Sequence, residues 1–230
     1  MHEKQSALQK FDTPAPVSVV LDIPAGRIQF IAADRADTTV EILPADASKS
    51  RDVQAAEQTT AAYGDGVLRI ETSASKNRIL GASGSLEVTV QLPAGSRVEA
   101  KAAGAEFRGV GRLGDVDIKG ALGTVKLDET ASTRLTVLDG DVSVGRLGGP
   151  AEISTQRGGI HIAEALRGTV TLRTEQGDIL VGAARGVSAS LDAGTTYGRI
   201  HNTLTNSDGA AAGLNIHATT SYGDITARSL

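Results

Sequence analysis

Apolar and polar residues alternate along the second half of the chain, and short apolar groups return every nine or ten residues. Counted from a position that is usually Gly, the apolar residues fall at +2 and +4. Gly114 is followed by Val116 and Ile118, Gly123 by Val125 and Leu127, Thr133 by Leu135 and Val137, and Gly140 by Val142 and Val144. The series continues through Gly149 (Ala151, Ile153), Gly158 (Ile160, Ile162), Gly168 (Val170, Leu172) and Gly177 (Ile179, Val181). It loosens at Arg185 (Val187, Ala189), Gly198 (Ile200 alone), Ala212 (Leu214, Ile216) and Gly223 (Ile225, Ala227). Side chains two apart share one face of a strand, so each group predicts a short, half-buried strand entered through a turn.

Such spacing suits a β-sandwich as well as a coil. Alternate units decide between them. A Thr stands three residues before Gly158, Gly177, Gly198 and Gly223, at Thr155, Thr174, Thr195 and Thr220. The repeat is therefore two strands long, 17 to 19 residues, stretching to 21 and 25 near the end. A coil with two faces per turn writes a double-length repeat, whereas a sandwich gives no reason for every second strand to resemble its predecessor. The predicted fold is an all-β solenoid with two short strands per coil.

Residues 1–100 follow the pattern less well. Strands are expected at Val17 to Ile23, Arg27 to Ala32, Thr39 to Leu43, Val67 to Thr72, Ser85 to Leu92 and Arg97 to Ala102, with a turn at Tyr63 to Gly66 and a helix within Asp46 to Thr59. A terminal rung cannot leave its edge and core open, so this region is read as an atypical N-terminal β cap on a solenoid over residues 101–230, in one continuous domain.

Composition agrees with thin, regular layers. Hydrophobic residues make up 40% of the 230-residue chain but aromatics only 3%, so the core must be Val, Ile, Leu and Ala. A net charge of −4 favours neither nucleic acid nor an anionic membrane, and the absence of Cys removes disulfides and thiolate chemistry. Residues 1–6, which include His2, form a polar tail with no apolar leader. No apolar run reaches 18 residues, so the expectation is a soluble, cytoplasmic protein without membrane insertion.

The repeat register tests the candidate sites. His161 and His201 fall at the outward +3 position of one face with Leu180 between them, about 10 Å apart, too far for shared metal ligation. His217 is placed at +5 on the other face. Asp141, Asp178 and Asp224 follow Gly on one face, with Gly159 and Arg199 expected between them. Asp178, Arg199 and Asp224 then read as an alternating-charge ladder of turn residues, not a carboxylate pair. Tyr197 and Tyr222 occupy equivalent corners and are expected to stack on each other; a sugar or base platform is the other use. The string from Gly109 to Gly114 fits G-x-G-x-x-G, but no helix follows to hold a phosphate. No nucleophile elbow is present. The outward +3 rows are Lys126, Ser143, His161, Leu180, His201, Thr226 and Asp117, Thr136, Glu152, Thr171, Ser188, Asn215, mixed in sign and without a basic stripe. The long connection Thr203 to Gly213 reads as a flexible loop.

The runs 197–204 and 218–225, with Phe11-Asp12-Thr13-Pro14 and the segment 92–98, resemble bacterial β-strand-repeat proteins of the putative-adhesin type, a domain of unknown function found in actinobacteria. The resemblance spans nearly the whole chain. It implies a right-handed, single-stranded β-helix and brings no catalytic residues with it. The functional expectation is a non-catalytic interaction, scaffold or adhesin-like module, without cofactor or metal, monomeric or weakly oligomeric, with an unidentified protein or cell-envelope partner. Tyr197, Tyr222, His161 and His201 are its candidate surface-binding residues. The alternatives are self-assembly through end-to-end strand pairing and a carbohydrate-active β-helix enzyme.

Overall fold

A computed structural model describes residues 8–73 and 84–230; the polar tail with His2 lies outside the described residues. Two parallel sheets face each other across one apolar core. One face runs β5 (Val67–Thr72), β2 (Ser18–Ala33), β7 (Arg97–Leu122), β8 (Val125–Asp139), β10 (Ala151–Arg157), β12 (Gly168–Gln176), β16 (Leu214–Tyr222) and β14 (Ala189–Tyr197). The second face runs β6 (Leu86–Pro93), β2, β7, β8, β9 (Val142–Leu147), β11 (Ile160–Ala165), β13 (Ile179–Ala183), β17 (Ile225–Ser229) and β15 (Ile200–Thr203). Strands β2, β7 and β8 pass through a corner and serve both faces. The chain is thus a β-solenoid, with the +2 and +4 residues of the second face no more than 2% exposed from Val125 to Val181.

The N-terminal end carries an antiparallel cap. There β3 (Asp37–Pro44) pairs antiparallel with β6 and with β1 (Gln9–Asp12), and β4 (Thr59–Gly64) pairs antiparallel with β5. Helix α1 (Ser50–Gln58), inside the span where a helix is expected, packs on these strands. Buried Asp52 ties it down by accepting the Ser85 N–H at 2.9 Å. Arg35 and Lys10 bond Asp37 between β1 and β3, and hold its carboxyl down to about 2.

The order of the last rungs differs from chain order. β16–β17, last in the sequence, stacks directly on β12–β13, and β14–β15 lies outside it. The corner hydrogen bonds follow this order. Thr174 donates to Gly158 O, Thr220 to Gly177 O and Thr195 to Gly223 O, at 2.9, 3.0 and 3.0 Å. The glycines explain the tight stacking: a Cβ on Gly177 would lie 2.1 Å from Gly158 O, and one on Gly223 2.1 Å from Gly177 O. Both also have φ near +150°, where side chains are strained.

Register also differs on the first face. Val116 sits opposite Thr133, Thr133 opposite Ala151, and Val170 opposite Ile216, which faces Leu191. Its outward +3 row is therefore Asp117, Arg134, Glu152, Thr171, His217, Asp192; Thr136, Asn215 and Ser188 do not belong to it. Sliding a strand by two residues keeps every side chain on its own face, so alternation alone cannot distinguish these registers.

Candidate functional site

The C-terminal end of the coil is open. Among the described residues β14 pairs only with β16 and β15 only with β17, leaving one edge of each strand unpaired. The apolar interior surfaces here: Ile200 is 45% exposed, while Val187, Leu191, Ala193 and Leu204 are only partly covered. The connection from Thr203 to Gly213 leads back from this outermost rung to β16. It is held in place, not merely inserted. Ser207 and Asp208 N–H groups both donate to Ser188 Oγ at 3.1 Å, and Ala189 N–H donates to Thr205 O.

Tyr197 and Tyr222 cap one corner of this end. Their ring centroids are 5.0 Å apart with planes within 8°, and both remain more than half exposed. The same corner column continues inward through Gln176 to Arg157, which pairs with Asp139 at 2.8 Å.

The histidines do not gather. His161 faces Leu180, Leu180 faces Thr226, and Thr226 faces His201, so three rung steps of about 14 Å separate the two rings' strands, not two. The interposed β17 causes the change. His201 stands on the open rung with Tyr197; His161 does not. His217 sits in the +3 row, its Nδ1 3.4 Å from Asp192 Oδ2. No group of three or more His, Asp or Glu side chains is placed to hold a metal ion among the described residues.

The corner aspartates are placed differently from the expected charge ladder. Asp224 stacks next to Asp178, and Arg199 lies beyond both. Like charges can be neighbours here because each carboxylate accepts a backbone N–H from the rung above: Gly159 to Asp141, Asp224 to Asp178, and Arg199 to Asp224, at 2.7, 2.7 and 2.8 Å. Their oxygens belong to the corner.

A shallow groove of about 490 Å³ on the first face carries the other carboxylates. Arg97 meets Asp115 at 2.8 Å, and Arg134 lies 3.9 Å from Asp117 and 3.6 Å from Glu152. Asp117 Oδ1 is buried without a hydrogen-bond partner. Ser132 and then Arg97, by hydrogen bonding, hold the Asp115 carboxyl below the usual carboxylate range. A general acid for glycoside cleavage needs the opposite shift.

Sequence reasoning missed Ile200, Leu191 and the strand edges around them, because chain order places that rung inside the coil. One signal was available: Asn202 occupies the +4 position that other rungs fill with an apolar residue.

The sequence pattern of the Toastrack DUF4097 family matches residues 16–228. No curated protein sequence matches the chain. Among solved structures, a putative adhesin from Bacteroides fragilis superposes with a TM-score of 0.58 at 16% identity, covering 98% of each chain. A putative adhesin from Parabacteroides distasonis gives 0.42 at 14% identity, over 99% of this chain and 98% of its own. A putative lipid binding protein from the same species gives 0.34 at 10%, with the same coverage.

Proposed function

The chain belongs to the Toastrack DUF4097 family, and from that premise we propose that it is a non-catalytic binding module whose recognition surface is the open end of the coil. The terminal rung carries the reading. It joins two unpaired strand edges, partly uncovered apolar side chains and a stacked tyrosine pair in one place, the combination by which protein partners are held. The carboxylates elsewhere support it from the other side, since backbone N–H groups or arginines engage those an acid–base mechanism would use. The adhesin name carried by the Bacteroides fragilis neighbour agrees with a binding role. The partner is a protein, of the cell envelope or another compartment.

The test compares immobilised wild type with an Ile200→Lys, Tyr197→Ser double variant against a cell-envelope extract. The protein is held dilute enough that copies do not meet. The variant is expected to retain roughly tenfold less bound protein, the effect of removing one strong contact. Equal retention by both, from a wild type that also stays monomeric at high concentration, would sink the reading.

A further inference from the structure

We propose that the partner at the open end is a second copy of this chain, docked end to end in a closed two-fold dimer. The proposal rests on the reading of the open end as the binding surface.

Two strand edges have no strand partner, one on each sheet, with only Ala189 at the start of β14 bonded by the return connection, and they flank a single core. A lone extended segment could pair with β14 or with β15, but would leave the other edge and the core beneath it in water. A partner that satisfies both must present two edges at the same separation. A second copy does so by construction. Rotated about a two-fold axis perpendicular to the coil, it sets its terminal strands antiparallel to these, continues both sheets and joins the two cores. It also brings Ile200, Leu191 and Ala193 against their equivalents.

Growth stops at two copies. A two-fold contact uses the open end of both copies, and the end left outside is a different surface, the antiparallel cap of β1, β3, β4 and α1. The open edge lacks two of the features that keep edge strands apart: β14 and β15 contain no Lys and no Pro, and Asp192 is their one acidic residue. Across residues 185–213, Arg185 and Arg199 balance Asp192 and Asp208, so two copies meet without net repulsion. β14 has nine residues, making the end about 30 Å long. With two sheets and their side chains the contact buries roughly 1,200 Å² in total, the lower limit for a specific interface. The dimer is therefore weak and concentration-dependent.

Sedimentation of the full chain from about 5 µM to about 500 µM reads this directly. The mass is expected to rise from 23.6 kDa toward twice that value. Ile200→Lys and, separately, Ala193→Lys are expected to hold it at the monomer mass, with cooperative unfolding retained as the check on folding. Should both variants fail to fold, amide exchange of the wild type decides. Rising concentration should slow β14 and β15 roughly tenfold and leave β4 unchanged. A wild type that stays monomeric throughout, assemblies larger than two, or a folded variant that dimerises normally each overturn the proposal. A monomeric wild type whose envelope retention still falls with the Ile200→Lys, Tyr197→Ser variant removes only the second copy as occupant. A monomeric wild type with retention unchanged by that variant removes the binding reading as well.

Discussion

Rungs β14–β15 and β16–β17 turn through almost the same corner, with Thr195, Tyr197 and Gly198 in one and Thr220, Tyr222 and Gly223 in the other. They end in different surroundings. The later rung contributes Leu214, Ile216, Ala218, Ile225 and Ala227, none more than 1% exposed. The earlier one offers Leu191, Ala193, Ile200 and, at +4, the amide of Asn202. Exchanging them would bury that amide without a strand-side partner, at about 1–3 kcal/mol, and would move the buried side chains of Leu214, Ile216 and Ile225 toward water. The chain avoids this by placing the polar rung outermost and returning through residues 204–213 to fill the gap with the apolar one. Where repeats are geometrically interchangeable, burial decides their order and chain sequence gives way.

The sharpest way to break the comparison is at the corner glycines. A Cβ on Gly177 meets Gly158 O at 2.1 Å, and one on Gly198 meets Gly223 O at 1.9 Å, so the clashes are alike. The freedom to relieve them is not. Gly177 is covered by Gly223 above it and has φ +155°, whereas no described residue stacks beyond Gly198. Gly177→Ala is expected to cost about 3–5 kcal/mol, from overpacking plus backbone strain, and Gly198→Ala about 1–2 kcal/mol as the end rung lifts. Urea unfolding at low protein concentration checks both. Equal losses would mean that β14–β15 is clamped from outside.

Truncating one apolar residue on each rung gives a smaller contrast. Ile216 and Leu191 face each other across the β16–β14 ladder. Ile216 is 1% exposed, and Ile216→Ala should lose about 3–4 kcal/mol, as core truncations do. Leu191→Ala should lose about 1 kcal/mol, because part of that side chain is already in water. The same unfolding experiment distinguishes them, and a reversal would place β14–β15 inside the coil.

Which side chains face inward was legible almost everywhere, because alternation with a period of two is a direct record of the strand's two faces. Register was legible only on the second face. There each rung begins at a glycine whose missing Cβ makes room for the carbonyl below, so Gly123, Gly140, Gly158 and Gly177 align by steric need. The first face has only isolated contacts of this kind, Gly114 against Gly95 O and Gly149 against Ala131 O, so Leu135, Leu214 and Val187 could each slide by an even number without exposing an apolar group. Rung order was not legible from similarity, since neighbouring repeats resemble one another equally in either order. Asn202 and the long return after Thr203 held that information. The open end followed from them, and with it the difference between Tyr197 and His201, which stand on it, and His161, which does not.

The tyrosine pair joins the two rungs being compared, and it gives the smallest effect. Tyr197 belongs to the outer rung and Tyr222 to the inner, with rings stacked at 5.0 Å. Both rings are exposed, so each single Tyr→Ala change should cost little through burial. Their coupling is the informative quantity. A double-mutant cycle on Tyr197→Ala and Tyr222→Ala is expected to give about 0.5–1.5 kcal/mol. If the stack helps hold the outer rung in place, amide exchange across β14 should quicken in either single variant while β16, fastened on both sides, stays protected. A coupling near zero with unchanged β14 exchange would mean that the backbone ladder and the Thr195 bond to Gly223 hold the end rung unaided, leaving the rings free to meet a partner.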